Sequence, residues 1–106
     1  MIFNLSLDKE EFSIDIPDAL LTEVEPIVKD MDGEYDRGVQ MGRYWVDNPS
    51  DEERCQVAAN DLVNALHAEN KRMVYLLAAY ILTKFPKLKI VVIDTDLEIQ
   101  EIDIQE

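Results

Sequence analysis

The sequence predicts an α+β domain. A small antiparallel or mixed sheet from both chain ends packs one face on a helical layer, in the order ββ, four helices, ββ. Three observations predict it. Residues at each end alternate apolar and polar with period two, which is the strand signature. The middle of the chain repeats its apolar residues at helical spacing. Between these stands Met73 to Leu82, ten consecutive apolar residues. That run is too short for a bilayer, which needs about 20.

Ile2 to Leu7 places Phe3, Leu5 and Leu7 on one face. Asp8, Lys9 and Glu10 break the run, and Phe12, Ile14 and Ile16 alternate again. Two strands in an antiparallel hairpin follow, ended by Pro17. Asp18 is the expected N-cap of the next helix. Leu20, Leu21, Val24, Ile27, Val28 and Met31 supply its stripe. Pro26 interrupts that pattern and predicts a kink or a restart there.

Residues 33–47 admit two readings. Tyr35, Val39, Gly42 and Val46 fit one helical stripe, on which Gly38 and Gly42 would let a neighbouring helix approach. Each glycine costs a helix about 1 kcal/mol, so a loop or a strand pair is the rival. Asn48-Pro49 marks a boundary. Ser50 and Glu53 then form a capping box, with Asp51 and Glu52 suiting a helix start. Cys55, Ala58, Ala59, Leu62, Val63 and Leu66 form the apolar stripe of that helix, and Asn70 is its expected C-cap. The next helix holds the apolar run and completes an αα-hairpin. Pro86 stops it, because the residue before a proline leaves the α region. Leu88 to Ile93 is a β-branched strand. Leu97 and Ile99 start a last one, whose phase slips at Ile102 and Ile104, predicting a bulge or a strand end.

The 106 residues make one domain, spanning 1–106. A single cysteine, Cys55, allows no internal disulfide and fits a reducing compartment. The start MIFNLSLDKEE lacks a basic n-region and does not read as a signal peptide, so a cytoplasmic location and no membrane are expected. The net charge of −13 is uneven. Residues 1–36 carry 11 acids and 2 bases, residues 37–93 carry 6 acids and 8 bases, and residues 94–106 carry 6 acids alone. Such a chain does not bind nucleic acid directly, which takes a basic surface. It suits a basic protein partner, or simple solubility.

No phosphate-binding, dinucleotide-binding or nucleophile-elbow pattern occurs. His67 has no second histidine or cysteine beside it to build a metal site. Cys55 lies on an apolar stripe, where a thiol is inert. Asp94-Thr95-Asp96 could offer two carboxylates to a divalent cation but lacks a calcium-loop layout, and a polar turn is the plainer reading. No cofactor or metal is expected.

Two candidate surfaces remain. Tyr35, Arg37, Arg43, Tyr44 and Trp45 gather the residue types enriched at binding hot spots, around the only tryptophan. The competing reading makes Trp45 a core plug and pairs Arg43 with a local carboxylate. Glu11, Asp15, Glu98 and Asp103 would share an open acidic sheet face. The stretch YDRGVQMGRYWVDNPSDEERCQVAANDLVNA, Tyr35 to Ala65, resembles small acidic bacterial proteins of no assigned activity. That resemblance covers about a third of the chain. It implies a bacterial cytosolic setting and transfers no site.

The function expected is therefore a non-catalytic protein-interaction or regulatory module, able to form a homodimer. An acidic mimic of nucleic acid, occupying a basic DNA- or RNA-binding protein, is the alternative. An enzyme using carboxylates and a metal ranks third.

Overall fold

A computed structural model describes residues 1–106. Strand β1 (Ile2–Leu7) and strand β2 (Glu10–Asp15) pair antiparallel as the alternation requires. Their two-residue turn is Asp8-Lys9, both at positive φ (50° and 73°), the type I′ signature that suits strand twist. Pro17 caps α1 (Asp18–Glu23), so Asp18 is its first helical residue and not its cap. The break at Pro26 is real: Val24 joins α1 to α2 (Glu25–Tyr35), with the proline in the first turn of α2.

Helix α2 ends at Tyr35, and residues 36–47 are not helical. The strands β3 (Val39–Met41) and β4 (Tyr44–Val46) form a separate two-stranded antiparallel ribbon. The helical stripe over Tyr35, Val39, Gly42 and Val46 is thereby overturned. Gly38 and Gly42 are not a helix-packing pair, because both sit at positive φ (114° and 61°). Gly42 opens the two-residue turn Gly42-Arg43, where a first residue with φ above zero is what a type II′ hairpin needs.

The αα-hairpin forms as the sequence predicts. Helix α3 (Asp51–His67) begins with both halves of the capping box: Glu53 N–H donates to Ser50 Oγ at 3.1 Å, and Ser50 N–H to Glu53 Oε1 at 2.9 Å. Its end differs from expectation. Asn70 N–H donates to the Ala65 carbonyl and Glu69 N–H to the Leu66 carbonyl, a Schellman closure with Glu69 at φ 56°. Asn70 instead caps α4 (Lys71–Lys84), its side chain accepting from Met73 N–H at 3.2 Å.

Strand β5 is shorter than expected, Ile90–Ile93, and runs parallel to β1. Leu97 and Ile99 do not start a strand. Ile99–Glu101 is a 3-10 turn, and β6 is only Asp103–Gln105, antiparallel to β5. Gln56 explains this break: buried on α3, its Nε2 donates to the carbonyls of Gln100 (3.2 Å) and Ile102 (2.9 Å). That anchorage bends the chain away from the sheet for one turn.

The main sheet is mixed, in the order β2-β1-β5-β6, and it draws its strands from both chain ends. Its inner face contributes Phe3, Leu5, Val91 and Ile93 to a core completed by α3 and α4. From Leu77 to Leu82 every residue of α4 is buried. Its first turns are covered on one side only, leaving Met73 and Tyr75 partly exposed. No helix is long and apolar enough to cross a membrane.

Candidate functional site

Trp45 is not a core plug. It is 59% exposed and Tyr44 is 64% exposed, the two highest values among the large apolar side chains. The ring of Trp45 is nevertheless held. Its Nε1 donates to Asp47 Oδ1 at 2.9 Å. It also lies so close over Gly38 that a Cβ there would stand 2.6 Å from the indole. Arg37 and Arg43 are exposed, and neither has a carboxylate within salt-bridge distance.

Strand pairing corrects the patch in one respect. Tyr44 faces Met41 and Trp45 faces Gln40 across the ribbon. Neighbours on a strand point to opposite faces, so Tyr44 and Trp45 flank the hairpin and do not form one continuous surface. Tyr35 does not join them. It is half-buried at the end of α2, edge-on to Tyr80 with centroids 5.7 Å apart, and burial pushes its phenol up to about 12.

Gly38→Ala tests how the indole is held. A β-carbon would meet the ring and would also force alanine into φ 114°. Left-handed or strained backbone costs about 1–3 kcal/mol. We expect that much loss of stability, with a shift in the emission of the sole tryptophan, read in one fluorescence-monitored denaturation. A variant with wild-type emission and midpoint would mean that the ring does not rest on Gly38.

The acidic face is only partly assembled. Register places Glu11, Ser6, Val92 and Asp103 in one row across the outer face of the sheet. Asp15 lies on the same face farther along β2. Glu98 does not: it precedes the 3-10 turn and accepts a bond from Gln100. Three interstrand steps separate Glu11 from Asp103, roughly 14 Å at about 4.8 Å per step. Uncharged Ser6 and Val92 fill the gap.

Of the 23 acids only Asp15, Asp18, Asp32, Asp36 and Asp51 lie within salt-bridge distance of a cation. Added salt should therefore stabilise the fold. Raising it from about 10 to about 150 mM shortens the screening length from about 30 to about 8 Å. Thermal melts should show a higher midpoint in salt; a fall would mean that attraction outweighs repulsion in this charge distribution.

Residues not singled out by sequence form the most connected polar cluster. Asp32 on α2 accepts from Tyr80 Oη (2.7 Å) and Arg54 (3.3 Å) at Oδ1, and from Lys84 Nζ (2.6 Å) at Oδ2. Arg54 also donates to Asp36 Oδ1 at 2.7 Å and, through Nε, to the Pro49 carbonyl at 2.9 Å. Burial pushes the Asp32 carboxyl up, but the bonds from Lys84, Tyr80 and Arg54 more than reverse this and leave it below the usual range. The cluster ties α2, α3 and α4 together. The one sequence signal for it was an arginine beside Cys55 on an otherwise apolar helix face.

The other candidates resolve into structure. Cys55 is fully buried, which pushes its thiol up to about 12. Asp94 Oδ1 accepts from Asp96 N–H at 3.0 Å, a polar turn closed on itself. Asp8 accepts from the Thr95 amide (2.8 Å), pinning that turn to the first hairpin. A groove of about 580 Å³ beside Tyr75 continues past Lys71 into a second of about 520 Å³. Lys71 and Arg72 on its rim are matched by Glu69 and Glu23, so it bears no net charge. No protein-family model matches the chain, and comparison with curated proteins and with solved structures finds no similar one.

Proposed function

We propose that this protein is a non-catalytic interaction module whose binding element is the β3–β4 hairpin. One observation carries the reading: Trp45 is left exposed and yet is fixed, by the Asp47 bond and by its seat on Gly38. An aromatic anchor already in place loses little freedom on binding, which favours affinity. Trp, Tyr and Arg are the residues that most often dominate interfaces; the hairpin offers Trp45, Tyr44 and Arg43, and the turn leading into it offers Arg37. The acidic chain ends would favour a basic partner at long range, whereas a like-charged partner would have to be held by the hairpin's own contacts.

The nucleic-acid mimic has less support. Duplex DNA carries a charge about every 1.7 Å of its axis. The row from Glu11 to Asp103 has acids only at its ends.

Affinity capture with wild type, Trp45→Ala and Glu11→Lys baits, each at low and high salt, tests the reading. A partner lost with Trp45→Ala at both salts, while the fold melts as wild type, supports the hairpin. A partner indifferent to Trp45→Ala, and lost with Glu11→Lys or with salt, would replace it with the acidic face.

A further inference from the structure

Resting on the reading that the hairpin is the binding element, we propose that its partner is a second copy of this chain. Two copies would pair antiparallel along β4, about a two-fold axis through Trp45.

The backbone supplies the first reason. The Gly42-Arg43 turn makes Met41–Tyr44 the closing hydrogen-bonded pair of the ladder, and Val39–Val46 the next. The pair between them, Gln40–Trp45, turns its N–H and C=O groups away from the ladder. The main chain of Trp45 therefore faces outward from β4, and no backbone bond elsewhere in the chain uses residues 44–46. Its indole leans back across its own hairpin to Gly38 and leaves that edge open. An isolated two-stranded ribbon is marginal in water, and added strands stabilise it.

Comparison of the free edges is the second reason. Edge β2 turns out the backbone of Glu11, Ser13 and Asp15, so self-pairing about Ser13 would set Glu11 opposite Asp15 of the second copy. Like charges directly opposite are destabilising. Edge β6 is bracketed by Glu101, Asp103 and Glu106. On the hairpin ribbon, β3 packs against α3, leaving β4 as the outer strand. Of the edges left free, only β4 carries no repelling set.

Charge and side-chain register supply the third. Pairing about Trp45 sets position 44 against 46 and position 43 against 47. Tyr44 would meet Val46 of the second copy, an aromatic on a β-branched residue, which is a favourable cross-strand pair. Arg43, which has no ion pair in the monomer, would meet Asp47 of the second copy, and the two-fold makes that contact twice. In a chain of net charge −13, this is a face on which two copies attract.

Sedimentation over a concentration series tests the proposal. Wild type should pass from monomer to dimer. Arg43→Glu sets two acids together at each contact, and Asp47→Arg sets two bases together. Each alone should weaken the dimer at least about tenfold. An equimolar mixture should restore it, since both contacts are then between opposite charges. Arg43→Ala, which is neutral, should fall between wild type and Arg43→Glu, and this series holds even if Asp47→Arg does not fold. A dimer unmoved by these changes would place the contact elsewhere and overturn the proposal. Wild type monomeric to about 1 mM would also overturn it. In that case a heterologous partner still lost with Trp45→Ala would leave the hairpin reading standing, and a partner indifferent to Trp45→Ala would remove both.

Discussion

Leu77→Ala is expected to lower stability by about 3 kcal/mol, within the 2–5 kcal/mol typical of buried leucines. Leu77 is 4% exposed and sits where α4 becomes buried on all sides, within the core cluster that α4 shares with α3 and the sheet. Met73→Ala is the matched control. It lies on the same helix but is 43% exposed, and should cost well under 1 kcal/mol. Urea denaturation of the pair decides the matter. Equal losses would mean that α4 is not the centre of the core.

The core helices were legible because their signals are local. The capping box at Ser50, the stripe from Cys55 to Leu66, the apolar run and Pro86 each lie within a few residues of the feature they determine. The first strand pair was legible for the same reason. Local pattern is ambiguous where one residue type serves two geometries. Gly38 and Gly42 are spaced as a helix stripe would be, yet each was needed for a backbone of positive φ. Glu69 took the left-handed position at the end of α3, although Asn70 suits it better by type. Asn70 was already committed to Met73, one turn into the next helix. The break before β6 depends on Gln56, 46 residues away from Ile102, and no local pattern encodes it.

The site was legible in composition but not in geometry. Residue type alone picked out Arg43, Tyr44 and Trp45, and all three are exposed. That Tyr44 and Trp45 flank the ribbon follows from strand alternation, which a helical reading of 33–47 hides. Tyr35 belongs to the core edge, because α2 carries it to Tyr80. Glu98 leaves the acidic face because the chain turns there instead of continuing as a strand.

Asp32→Ala is expected to cost about 3 kcal/mol, near the lower end of what breaking a buried ion pair costs, since the carboxylate is about a quarter exposed. The loss comes from what stays behind. The Arg54 side chain is 9% exposed and that of Lys84 20% exposed, and both would be left close together, sharing only Asp36 and a distant Asp51. The buried Tyr80 hydroxyl would lose its acceptor as well. Asp32→Asn keeps the shape and removes the charge, so it isolates the electrostatic part. The pH dependence follows from the sign of the shift. The folded carboxyl lies below its unfolded value of about 3.9, so its contribution is present above that pH and is lost as pH falls through the folded value. Wild type should therefore lose stability between neutral pH and pH 3 more steeply than Asp32→Asn. Urea midpoints for both proteins across that range measure the difference. Parallel acid limbs would show that Asp32 is not the carboxylate that holds α2 to the α3–α4 hairpin.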